Sequence, residues 1–331
     1  MKDYEQEASF IKGVAMILVI MTHFISPEIR GKMYDLFHII QAIPVLVFLS
    51  AFFLCRKIKN DHSVFKNYFS KSNIQKFILN FVLPAFLISV FHFSAKNPDI
   101  KSFLQSGGFL GPGSYYIILY FQIWLCIPFF SWFQQKVPNI WVQSIMCIAI
   151  EIIFYALPTA AWLYRLTFIR YFLLINYGVW LQRNSRENTF SQTIRHMFLK
   201  SQNSRALWIL GLASALILYI HQIYHFPPLP FGPVQWQFHS YLGAGYAILF
   251  IFILLQIYRL LESFPPLLLF ISIIGQYSLY VYFIHMSLMG LDLSFSRKEN
   301  LFFCFAVPLY CFIKKNTPPP RINWTRAFIF G

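Results

Sequence analysis

The stretch Phe10–Phe24, FIKGVAMILVIMTHF, decides how this chain folds. With its flanks it is long and apolar enough to cross a bilayer as a helix, which needs roughly 20 residues at about 1.5 Å of rise each. Two ionisable residues interrupt it. Lys12 and His23 stand 11 positions apart. At about 100° per residue they return to within about 20° of one face, roughly 16 Å apart along the axis. Ionisable groups in lipid are costly and usually face a cavity or a partner. The spacing leaves two readings open. Either the cation and the imidazole share a cavity, or Lys12 snorkels to the headgroups while His23 bonds a neighbouring helix.

The rest of the chain is of the same kind. Of 331 residues 57% are hydrophobic, 20% aromatic and only 12% charged, about half the charge of a soluble domain. The 39 Phe and 19 Tyr suit a lipid-facing surface with aromatic belts at both interfaces. These numbers describe a polytopic membrane protein. Asp3, Glu5 and Glu7 precede the first run and no small-residue cleavage site follows it, so it reads as a retained helix rather than a signal peptide. The 5 cysteines, Cys55, Cys126, Cys147, Cys304 and Cys311, lie in or at the ends of apolar runs without a CxxC. Neither a disulfide framework nor a zinc site is indicated.

Runs of spanning length fall at 9–26, 36–55, 74–94, 114–133, 140–157, 163–181, 206–224, 240–258, 267–290 and 299–315, which predicts an all-α bundle of about ten spans. With the N-terminus in the cytoplasm, most of the 27 lysines and arginines fall on inner segments, above all 56–73 and 182–205. Arg30, Lys32, Lys96, Lys101, Arg165, Arg170, Arg297 and Lys298 stay outside. The asymmetry follows the positive-inside rule and predicts both termini in the cytoplasm. The net charge of +15 is then topology, with anionic lipid as its partner; nucleic acid is not needed to explain it. The proline- and aromatic-rich segment 221–239 reads as an outer cap or re-entrant loop, and residues 316–331 as a short cytoplasmic tail.

Five blocks in order resemble the acyltransferase-3 family of membrane proteins. They are Lys12 with His23; PVLVFLSAFFL, Pro44–Leu54; GPGSYYIILYFQIWLCIPFF, Gly111–Phe130; IRYFLLINYGVWL, Ile169–Leu181; and IGQYSLYVYFIH, Ile274–His285. Members often carry arginine where Lys12 stands and glycine where Ala51 stands. The resemblance implies one membrane domain over 1–315. It also implies transfer of an acetyl or other short acyl group from cytoplasmic acyl-CoA to a hydroxyl of a cell-surface or exported glycan, in the bacterial cytoplasmic membrane. Acetyl-CoA would be a co-substrate with no tightly bound cofactor, the acceptor a glycan or lipid-linked saccharide, and glycan-assembly proteins possible neighbours.

An acyl-CoA donor needs cations for its phosphates, a slot for pantetheine, and a base near the thioester. In this family context Lys12, Lys71 and Lys76 are expected to hold the phosphates, since the Lys12–His23 separation is comparable to an extended pantetheine arm. His23 is expected to act as general base on the acceptor hydroxyl, or to carry the acyl group transiently. Glu151, the one acid well inside a predicted span, either orients the imidazole or is a protonated carboxyl bonded to a neighbouring helix. Arg170 either binds an anionic group of donor or acceptor, or snorkels to the outer headgroups. Tyr115 and Tyr116 are either tyrosines of the outer interfacial belt or, in this family context, line the acceptor entrance, and His285 either bonds a neighbouring helix or stands beside the substrate. His221, His225 and His239 lack an acidic or cysteine ligand, so no metal is assigned. Ser50 lacks a Gly-x-Ser-x-Gly elbow and is read as a packing residue. A transporter or flippase that uses the same cavity without chemistry is the rival reading, and a catalytically silent subunit of a glycan assembly system a third.

Overall fold

In the computed structural model the first run is α1, Asp3–Phe24, one unbroken helix roughly 33 Å long at 1.5 Å per residue. The structure describes residues 3–35, 38–56, 58, 64–96, 115–156, 167–184, 190–200, 204–224, 240–290 and 297–316. Among them every regular element is helical. After α1 come α2 (Pro27–Lys32), α3 (Ala42–Cys55), α4 (Val64–Tyr68), α5 (Lys71–Phe77) and α6 (Leu83–Lys96). They are followed by α7 (Tyr115–Lys136), α8 (Ile140–Ala156), a 3-10 turn (Phe168–Tyr171), α9 (Phe172–Asn184) and α10 (Phe190–Leu199). The last are α11 (Ser204–Tyr224), α12 (Ser240–Leu260), α13 (Pro265–Gln276), α14 (Ser278–Gly290) and α15 (Arg297–Asn316).

α1 is the centre of the packing, and glycine is the reason. It lies chiefly on α13, with α3, α12, α14 and α10 around it. A Cβ on Gly13 would fall into the Ile271 carbonyl, and one on Gly275 into the Ser9 carbonyl. The two helices touch backbone to backbone, as small residues allow in lipid, where the hydrophobic effect no longer separates inside from outside. α3 and α9 meet the same way. A Cβ on Gly178 would sit 2.9 Å from the Phe48 carbonyl oxygen and 3.0 Å from the Ala51 Cβ.

The outside of the bundle is apolar. Ile145, Ile153, Ile209 and Leu260 are exposed by 67%, 62%, 66% and 73%, a surface suited to hydrocarbon and not to water. Polar side chains turn inward. Gln134 Nε2 on α7 donates to the Asn176 carbonyl at 2.8 Å and to Asn176 Oδ1 at 3.0 Å. Asn176 Nδ2 on α9 donates to Gln143 Oε1 on α8 at 2.9 Å. Arg183 Nη1 at the end of α9 donates to Ser131 Oγ at 2.6 Å and to its carbonyl at 2.7 Å. Interhelical hydrogen bonds of this kind tie membrane helices together.

Each predicted run contains helix, but fewer cross by length alone. Four described helical stretches are long and apolar enough to span: Gln6–Phe24, Lys71–Val90, Tyr116–Lys136 and Gly243–Ser263. The number rises to six if each of two bent pairs is one span: Phe190–Leu199 with Ser204–Ile220, and Pro265–Gln276 with Ser278–His285. Ala42–Cys55, Ile140–Phe154 and Phe302–Ile313 are shorter apolar helices. The run expected at 267–290 is two helices bent by 72°, a break at Tyr277 that hydropathy does not register. The run expected at 74–94 is continuous but changes its winding. Pro84 has no N–H to bond the Asn80 carbonyl, and its ring crowds that oxygen. Ile78–Val82 winds as a π turn, with the Leu83 N–H donating to the Ile78 carbonyl.

Candidate active site

Between α1, α3, the π turn, α7, α13 and α14 lies a cavity of about 1040 Å³, at the upper end of the range for small-molecule sites. Lys12 faces it from α1, with Gln6 one and a half turns before it. Arg56 enters just after α3, Asn80 from the π turn, and Gln276 from the bend between α13 and α14. Deeper along α1 the wall becomes Met16, and Tyr116, Tyr120 and Tyr282 converge on it from α7 and α14. A polar, cationic mouth thus leads to an aromatic floor. The Lys12 ammonium rests 4.6 Å from the centroid of the Phe53 ring, a cation–π contact that holds a charge in a poorly hydrated place without neutralising it.

His23 is one helix length further on and points into the bundle, not into lipid. Its ring centroid is 5.1 Å from that of His285, at an interplanar angle of 44°. Phe24 covers His285 from the same helix, at 5.6 Å between centroids. His285 is fully buried. The Cys304 sulfur on α15 lies 4.0 Å from its Nδ1, and its Nε2 has no hydrogen-bond partner among the described residues. Two imidazoles and a thiol are therefore clustered across α1, α14 and α15. His23 does not line the cavity itself. The cavity floor is Tyr282, one turn before His285 on α14, and Tyr116 packs on Tyr282 at 5.3 Å between ring centroids.

The structure brings some of the expected residues together and leaves others apart. Lys12 and Tyr116 share the cavity, and His23 meets His285. Lys71 and Lys76 are exposed on α5, outside the cavity wall. Arg56 occupies the cationic place beside Lys12 instead. Glu151 is fully buried on α8. Its helix packs mainly on α9 and on the 3-10 turn that carries Arg170, whereas α1 packs on other elements. Arg170 is buried, with its guanidinium carbon 4.7 Å from the Tyr171 ring centroid. Tyr115 is the first residue of α7 and its side chain lies outside the described set, as do those of His221, His225 and His239. Ser50 lines the cavity wall on α3.

Sequence reasoning did not single out Arg56, Asn80, Tyr120, Gln276 or Tyr282. Tyr120, Gln276 and Tyr282 lie inside the blocks quoted above, and two of the five residues also carried a signal of their own. Asn80 stands four residues before a helix-interior proline, where a π turn and a freed carbonyl are expected near functional sites. Tyr282 stands three residues before His285, so it shares that residue's helical face.

The Acyltransferase domain family profile matches residues 7–313. No curated protein and no solved structure matches the chain. The match runs from the first turns of α1 nearly to the end of α15, through the cavity and both imidazoles. This chain is an integral membrane protein of the acyltransferase-3 family.

Proposed function

We propose that the protein transfers an acetyl or similar short acyl group from cytoplasmic acyl-CoA to a hydroxyl of a cell-surface or exported glycan, with His23 as general base. One observation carries this reading. A single unbroken helix presents Lys12 to a cation-lined cavity and, 11 residues on, His23 against a second buried imidazole. The roughly 16 Å between them along the helix suits a donor whose anionic end and reactive end are separated by a long, thin, uncharged arm. The donor's phosphates would rest by Lys12 and Arg56, and its thioester would pass Tyr116 and Tyr282 toward His23. Lys71 and Lys76, exposed on α5, would add to the potential that draws an anion in.

The acceptor hydroxyl arrives from the other end of α1. His23 takes the hydroxyl proton as the oxygen attacks the thioester carbonyl carbon. The carbon–sulfur bond breaks, the thiolate leaves, and it takes the proton from the imidazolium to give free thiol. His285 positions the ring for this exchange. The distribution of basic residues supports a cytoplasmic donor side and cytoplasmic termini.

The test is thiol release by the purified protein in lipid nanodiscs with acetyl-CoA and a glycan acceptor, read with a thiol reagent and by mass of the product. Wild type should release thiol and esterify the glycan. His23→Ala should lose the reaction by roughly a hundredfold or more while remaining in the membrane. Thiol release equal in wild type and His23→Ala refutes the base assignment. Glycan movement without thiol release indicates the transporter or flippase reading.

A further inference from the structure

Beyond His23 the chain leaves α1 at Phe24 and re-enters helix at Pro27 as the short α2. That helix is braced at both ends. Ser26 Oγ caps it by accepting from the Ile29 N–H at 3.4 Å. Past its C-terminus Tyr34 adopts φ 54° and stacks on Tyr219 of α11, at 6.0 Å between ring centroids. Tyrosine seldom takes a positive φ, so the packing around it must hold this turn in place.

Arg30 projects from this braced segment. Its side chain is only 20% exposed, and its one ion-pair partner among the described residues, Asp35 Oδ2, is 3.9 Å from Nη1, beyond hydrogen-bond length. Its Nε is buried with no hydrogen-bond partner among the described residues. A guanidinium has five donors in a planar fork, and here the fork is largely unfilled. Arg30 is also close enough to His23 to act on it electrostatically. It stands at the opposite end of α1 from Lys12, so it has no part in holding the donor's phosphates. What such a fork fits is a carboxylate or phosphate oxygen pair, approaching from the acceptor side.

We propose that Arg30 recognises the acceptor, and that the acceptor is anionic: a glycan bearing a carboxylate or a phosphate group near the hydroxyl that is acylated. This rests on the acyl-transfer reading above. The anion docks on the free donors of Arg30 while Asp35 keeps its loose contact with Nη1, and the neighbouring hydroxyl is thereby delivered to His23. Gly31 leaves room for the approach, since a Cβ there would meet nothing within 4 Å.

The experiment uses the full-length protein in nanodiscs with acetyl-CoA and three matched trisaccharides. One carries a glucuronate, one a glycerol phosphodiester, and one is neutral. For the wild type, kcat/KM should favour one anionic acceptor over the neutral one by roughly tenfold to a hundredfold. Preference for the uronate assigns a sugar acid, and preference for the diester a phosphorylated glycan. Arg30→Gln should bring the ratio close to parity, and Arg30→Lys should retain part of it. The wild type alone gives an independent reading should Arg30→Gln not fold: added salt should raise KM for the anionic acceptor and leave that for the neutral one in place. Equal rates for all three, transfer to none while His23-dependent thiol release persists, or a ratio unchanged in Arg30→Gln would overturn the proposal. Absence of any His23-dependent thiol release overturns the acyl-transfer reading itself, and this inference with it.

Discussion

Lys12 is a half-buried ammonium that rests on the Phe53 ring, with no carboxylate paired to it among the described residues. A buried charge without a counterion costs stability, so its retention is a mark of use. Lys12→Met should therefore do two opposite things. Thermal melting in detergent should show a gain of about 1 kcal/mol or more, while KM for acetyl-CoA should rise roughly tenfold to a hundredfold. A loss of stability with unchanged KM would make Lys12 a structural residue. At this scale the sequence was informative where helical arithmetic suffices. Lys12 and His23 belong to one helix, and the 3.6-residue period alone puts them on one side. Arg30 did not stand out because its importance comes from what it lacks, and an unfilled fork is visible only once its neighbours are placed. The Lys71 and Lys76 expectation came from the resemblance, which implies a basic cluster at that point of the chain. Arg56, at the end of α3, reaches the cavity wall instead because α3 lies directly on α1.

Among the elements, the contact of α1 with α13 sets everything else, because both Lys12 and His23 are mounted on α1. Gly275→Ala would drive a methyl group into the Ser9 carbonyl, and the only relief is separation of the two helices. The expected cost is at or above the upper end of the 1–3 kcal/mol typical of overpacking, read as a fall in melting temperature. Gly31→Ala, where a Cβ meets nothing within 4 Å, is the control and should change melting little. Equal effects from the two would contradict the close helix crossing. The helices themselves were legible as apolar runs, because transfer free energy depends on composition. Their breaks were not. The bend at Tyr277 arises where Gly275 is drawn onto α1, a tertiary cause. The π turn at Ile78–Val82 had a local cause in Pro84, and that one could have been read.

For the molecule as a whole, the solvent is the argument. A large apolar exterior around a hydrogen-bonded interior of Gln134, Asn176, Gln143 and Arg183 is stable only where water is excluded from the outside. Ile153→Lys, on an exposed face of α8, should cost about 2.5–3.5 kcal/mol of insertion, seen as a smaller share of protein in the membrane fraction. In an aqueous protein the same change would be neutral, and that result would remove α8 from the lipid boundary. Composition made the class of the molecule plain from the start. Among the described residues four to six stretches are long enough to cross, and a hydropathy window does not separate these from the shorter apolar helices Ala42–Cys55, Ile140–Phe154 and Phe302–Ile313.

Because Lys12 and His23 are spaced by one covalent helix and not by two domains that could shift, α1 works as a fixed gauge. For the proposed acyl-CoA donor it would measure the reach from the anionic handle to the sulfur, and it would be indifferent to the size of the cargo beyond that sulfur. Donors cut short of the handle, such as thioesters of N-acetylcysteamine, would enter the bundle without being held at the right depth. Changing the cargo would then be tolerated far better than changing the tether.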